Sequence, residues 1–108
     1  MTEEKTQETL QQMQMIEQSI QQFSLQRQQF QSQLLEINSA LEELDKSEES
    51  YKIIGNIMVN TDKTKLKEDL ARKKEVVELR IKTLESQETK MKEKSQAMQQ
   101  DVMKDMKK

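Results

Sequence analysis

The sequence predicts an all-α-dominated fold: a long antiparallel coiled-coil helical hairpin with one short β-hairpin between the helices. Three observations carry that expectation. Apolar residues recur every three and four positions through the first third. A seven-residue apolar stripe runs through the last third. Between them lies a β-favouring stretch that holds the only glycine of the 108-residue chain. One domain covering 1–108 is expected, with an N-terminal helix over 1–48, a β-hairpin over 50–61 and a C-terminal helix over 62–108.

The composition supports helices over a globule. Only 32% of residues are hydrophobic, 35% are charged and 3% are aromatic, too little apolar material to fill a compact interior. Such a balance is also met in disordered chains. Against disorder stand the absence of proline, the single glycine and the abundance of Gln, Glu, Lys, Leu and Met. Those straight-chain residues lose little rotamer freedom in a helix.

In the first helix, taking Met13 as heptad position a, the a positions are Met13, Ile20, Arg27, Leu34 and Leu41. The d positions are Ile16, Phe23, Phe30, Ile37 and Leu44. All but Arg27 are apolar, the pattern of a coiled-coil seam. The Arg27 stem can lie along the seam while its guanidinium reaches water; a role in fixing register is the sharper alternative. The glutamines around the seam, such as Gln7, Gln11, Gln14 and Gln18, keep the helical period and read as solvated filler.

In the last third, Leu70, Val77, Leu84, Met91 and Met98 form the stripe, joined by Leu66, Val76, Leu79, Ile81 and Val102. Glu68 with Arg72, Asp69 with Lys73, Glu78 with Lys82 and Glu88 with Lys92 are acid-before-base pairs at i,i+4. They are expected on a solvated face, each adding a few tenths of a kcal/mol.

In the middle, Tyr51-Lys52-Ile53-Ile54 and Ile57-Met58-Val59 flank Gly55-Asn56. Glycine at the first central position suits a two-residue type II′ turn, where positive φ is required. Ser47 to Ser50 loosen the end of the first helix, and Thr61 or Asp62 can cap the second. The two helices also match about this turn. Met13 and Met98, Ile20 and Met91, Arg27 and Leu84, Leu34 and Val77, and Leu41 and Leu70 are pairwise equidistant from the Gly55–Asn56 bond.

A family resemblance becomes specific at these residues. Tyr51-Lys52-Ile53-Ile54-Gly55-Asn56-Ile57-Met58-Val59 with Thr61-Asp62-Lys63, Glu78-Leu79-Arg80-Ile81-Lys82-Thr83-Leu84-Glu85 with Gln87-Glu88, and Ala40-Leu41-Glu42-Glu43-Leu44 resemble the β-class subunit of prefoldin, archaeal in type. The single interrupting hairpin resembles the β-class because the α-class carries two. The resemblance implies a hetero-hexamer of two α-class subunits with four β copies, joined through their hairpins into β-barrels. It also implies ATP-independent capture of unfolded or nascent polypeptides by the coiled-coil tips and their delivery to a group II chaperonin.

The residues suit those roles. An isolated two-stranded hairpin is marginal in water, and unpaired apolar edges invite further strands. Tyr51, Ile53, Ile54, Ile57, Met58 and Val59 are therefore the expected oligomerisation residues. At the other end of the helical hairpin, Leu10, Met13, Met15, Ile16, Met98, Val102, Met103 and Met106 are the expected client-binding residues. Methionine is flexible and polarizable and repacks around unlike apolar partners, and several weak tips gain from multivalency. Met13 and Met98 lie in the seam and have an equally good reading as core. Met15, Met103 and Met106 fall off it.

Other functions find little support. There is no histidine or cysteine, no phosphate-cradling glycine loop and no nucleophile elbow, so neither an enzyme, a metal site nor a cofactor is expected. A net charge of −2 gives no field for nucleic acid. The N-terminus lacks a signal-peptide stretch and no apolar run could cross a bilayer, so a cytoplasmic location is expected. A structural tether built on the same heptads is the main rival, but a tether has no need of a strand-forming motif at its midpoint. A membrane-surface helix would need a cationic face. Lys90, Lys92, Lys94, Lys104, Lys107 and Lys108 make the tail mildly basic, yet Glu88, Glu93, Asp101 and Asp105 interleave with them.

Overall fold

The structure, a computed structural model, describes residues 3–106. Helix α1 spans Glu3–Lys46, strand β1 Ser50–Ile54, strand β2 Ile57–Thr61 and helix α2 Lys63–Met106. The expectations placed on Met1, Thr2, Lys107 and Lys108 lie outside the described residues. The chain divides into two compact units. A turn unit comprises Gln29–Ile81, and a terminal unit comprises residues 3–28 with 82–106.

In the turn unit the strands pair antiparallel, from Ser50 opposite Thr61 to Ile54 opposite Ile57. Gly55 has φ +61°, and no other described residue has positive φ. Of the two primed two-residue turns, that combination fits type II′, since type I′ needs positive φ at both central residues. At the open end of the hairpin the buried Ser50 hydroxyl donates to the Thr61 carbonyl at 2.7 Å. Asp62, one of the two candidate caps, accepts the Thr64 amide at 3.2 Å on Oδ1.

The helices of this unit pack around Ile37, Val77 and Ile81, with Phe30, Leu34, Leu41 and Leu70 against them. Each fully buried aliphatic side chain contributes about 1.5–3 kcal/mol. The Arg80 guanidinium lies 5.6 Å from the Phe30 ring centroid, within cation–π range. Near the hairpin, Lys67 pairs with Asp45. The hydrogen bond from Lys67, and then its charge, hold the Asp45 carboxyl below its ordinary pKa. The Lys63 ammonium donates to the Ser47 carbonyl at 2.7 Å.

The seam of α2 differs from the expected one. Its covered positions alternate strictly by four and three: Leu70, Lys74, Val77, Ile81, Leu84, Glu88, Met91, Ser95, Met98 and Val102. Val76 (52%) and Leu79 (66%), expected to join the apolar stripe, are exposed. Glu88, expected on the solvated face, is buried at 6%. The stripe at every seventh residue was legible because it is wholly apolar. Its companion row was legible only at Ile81 and Val102, which are buried as expected, because Lys74, Glu88 and Ser95 interrupt it, while Val76 and Leu79 offer apolar side chains one or two residues away.

The four i,i+4 charge pairs are also rearranged. Arg72 bonds Asp69, three residues before it, and Lys74 approaches Glu78 at 4.0 Å. Glu88 reaches across to the other helix. Exposed i,i+3 and i,i+4 partners differ by only tenths of a kcal/mol, so local geometry decides among them.

Candidate functional site

Two surfaces expose apolar side chains in quantity, one in each unit. In the turn unit, all six of the expected assembly residues lie exposed: Tyr51, Ile53, Ile54, Ile57, Met58 and Val59. The strand register sorts them onto opposite faces. Tyr51, Ile53 and Met58 share one face, while Ile54, Ile57 and Val59 share the other with Lys52. Tyr51 and Met58 also line an open groove of about 350 Å³ whose walls include Ala40, Leu44, Leu66 and Leu70, with Glu43 and Glu49 at its edge. The Tyr51 hydroxyl donates to Glu49 Oε2 at 2.5 Å. That bond, followed by partial desolvation, raises the phenol pKa above its ordinary value.

In the terminal unit the eight expected client residues separate into groups. Leu10, Met15 (67%), Met103 and Met106 (78%) are exposed. Met13 and Met98 are half-buried in the seam. Ile16 and Val102 are buried there and offer no free surface in this arrangement. Two open grooves lie along the helices of this unit. One, of about 390 Å³, includes Ile20, Lys92 and Ser95; the other, of about 360 Å³, includes Met15, Ile16 and Met91. Ile20 and Met91, expected as seam residues, and Ser95, not singled out in the sequence, therefore border accessible space. A small residue in a row of large ones was the available signal.

The terminal unit also holds the interaction that the snorkelling reading of Arg27 missed. Arg27 Nε donates to Glu88 Oε1 at 2.8 Å across the two helices. Arg27 Nη2 also reaches Ser24 Oγ at 3.4 Å. The Glu88 bond is the main reason the guanidinium holds its proton more firmly than usual; burial opposes it, and the charges of Glu88 and Glu85 add to it. The signal for this contact was the position of Glu88, one heptad beyond Ile81 and one before Ser95.

Among the described residues no group of three or more acidic side chains gathers where a metal ion could be held. No helix among them is long and apolar enough to cross a membrane. What the arrangement offers is apolar surface on a paired set of helices and on both faces of a two-stranded hairpin, which defines the class as two long helices joined through a β-hairpin.

Comparison with known proteins gives that class a family. The family model described as "Prefoldin subunit" matches residues 7–108. The prefoldin subunit beta of Archaeoglobus fulgidus is 38% identical over 92 residues, covering 82% of this chain and 79% of that protein. That of Thermococcus onnurineus is 42% identical over 64 residues, covering 56% of this chain and 55% of the relative. The Methanococcus maripaludis relative is matched over 53% of its length, so the chain spans about half the length of these last two. The crystal structure of the prefoldin beta subunit from Thermococcus strain KS-1 superposes with a TM-score of 0.86 at 31% identity, over 93% of this chain and 90% of that one. The chain belongs to the prefoldin family, a family of chaperone subunits, and archaeal β subunits dominate its likenesses.

Proposed function

We propose that this chain is the β-class component of a cytoplasmic, ATP-independent chaperone that holds unfolded or nascent polypeptides and passes them to a group II chaperonin. Its partners are an α-class prefoldin subunit and further copies of itself, two α with four β. The carrying observation is the exposure of apolar side chains on both faces of the β-hairpin, at Tyr51, Ile53 and Met58 on one side and Ile54, Ile57 and Val59 on the other. A two-stranded hairpin of that kind is marginal alone, and its open edges and apolar faces are satisfied by strands from other subunits. Leu10, Met15, Met103 and Met106, exposed in the terminal unit, are the proposed client contacts. Met13 and Met98 join them where the seam ends fray, as do Ile16 and Val102.

The test is aggregation of a denaturant-unfolded client, followed by light scattering, with the α-class partner present and ATP absent. The complex is expected to suppress scattering. A complex lacking residues 1–12 and 99–108 is expected to assemble normally and lose most of that suppression. Unchanged scattering with the intact complex in stoichiometric excess refutes the holding function. Full protection by the truncated complex removes the terminal residues as the contact.

A further inference from the structure

Within the covered seam of α1 from Met13 to Leu44, Arg27 is the only charged residue. The Glu88 side chain that meets it is 8% exposed, against 24% for the Arg27 side chain. As a source of stability such a pair is a poor choice. Removing two charges from water costs about as much as their attraction returns, and well-packed apolar replacements are often neutral or stabilising. Charged or polar groups at seam positions act more reliably on which helices pair and in what register.

The surrounding residues show what Arg27 and Glu88 discriminate. Apart from Arg27, the a positions of α1 are all apolar from Met13 to Leu41, as are the stripe residues Leu70, Val77, Leu84, Met91 and Met98. Apolar contacts alone therefore separate one pairing from another only weakly. In a parallel, in-register pair of α1 helices from two copies, Arg27 would meet Arg27. The α1 seam from Met13 to Leu44 offers no carboxylate to relieve it in any other α1–α1 alignment. In a parallel, in-register pair of α2 helices, Glu88 would meet Glu88. A slip of one heptad between α1 and α2 would set Glu88 against Ile20 or Leu34, and Arg27 against Ser95 or Ile81. An antiparallel pair of α2 helices could set Glu88 against Lys74, but among seam alignments only the observed one gives Arg27 a carboxylate at hydrogen-bond distance.

We propose that the Arg27–Glu88 pair is a pairing-specificity device: it directs α1 onto α2 and bars association of α1 with the α1 of a second copy. Such a device has its greatest use when several copies of one chain are held close together, where like helices meet at high local concentration. The discrimination is independent of client binding and stands whether or not the chain holds clients.

The experiment uses the full chain with Arg27→Leu, Glu88→Leu and the double substitution. Thermal unfolding by circular dichroism reports stability. Oxidation of an added Ile20→Cys, in a chain without native cysteine, reports α1–α1 contact between copies. Arg27→Leu is expected to lower the midpoint by several degrees, because it leaves Glu88 buried without its partner. Glu88→Leu is expected to lower it less, because the longer Arg27 stem can carry its charge to water. The double variant is expected to recover the parent midpoint or exceed it, and to cross-link between copies where the parent background does not. A double variant that stays below both single variants assigns the pair to stability and overturns the proposal. So does a double variant that recovers its midpoint yet shows no more cross-linking than the parent background.

Discussion

The hydroxyl of Tyr51 rests against the Glu49 carboxylate at the mouth of the hairpin groove. The bond exists only while the phenol is protonated, so it favours the neutral form in the folded chain and lifts the phenol pKa. A raised folded value means that the contribution to stability is complete below the ordinary phenol range and is lost as pH rises through the raised value. In the isolated chain, absorbance titration of the single tyrosine should show an alkaline midpoint above that of free tyrosine. Glu49→Gln should bring it down, since the acceptor charge that resists phenolate formation is gone. Equal midpoints in the two proteins would mean the bond is not formed in solution.

At the scale of the helix, Val76 and Val77 make a sharper comparison than any pair of distant positions. They are identical in chemistry and adjacent in sequence, yet one is 52% and the other 4% exposed. Val76→Ser should change the unfolding free energy of the isolated chain by no more than about 0.5 kcal/mol. Val77→Ser should cost about 2–3 kcal/mol, the lost burial plus part of a cavity. Urea unfolding reads both, and similar effects would displace the seam described here. The same pair shows how far the sequence could be read. The α1 seam, the hairpin and the Leu70-to-Met98 stripe were legible because apolar residues occupy nearly every position the period requires. The second row of α2 was legible at Ile81 and Val102 but not at Lys74, Glu88 and Ser95, since periodicity marks a covered polar residue only as a gap. Ile16 at its d position and Val102 beside the α2 stripe are buried, while Leu10 and Met106, off both seams, are exposed, so the period that marked the seams also separated covered from open.

For the assembled molecule, the proposed contacts are the apolar hairpin residues that the single chain leaves exposed. Replacing Ile53, Ile57 and Val59 together by Ser removes apolar side chains from both hairpin faces while touching neither helical seam. Helicity should therefore stay close to that of the parent, and native mass spectrometry with the α-class partner should show the hexamer lost. A hexamer of undiminished abundance would locate the assembly contacts elsewhere. The separation is physical: seam burial holds each chain's helices together, whereas the hairpin's edges and apolar faces stay open in the single chain and suit strands from other chains.

Lys63 occupies the first turn of α2, where the positive end of the helix dipole disfavours a cation. Its ammonium is nevertheless held by the Ser47 carbonyl, just beyond the end of α1, where the opposite end of another dipole favours it. One charge thus ties together the ends of two opposed dipoles. Lys63→Glu, a change that would strengthen an isolated α2 peptide, should instead lower the thermal midpoint of the whole chain: at this joint, improving one helix on its own terms loosens its hold on the other.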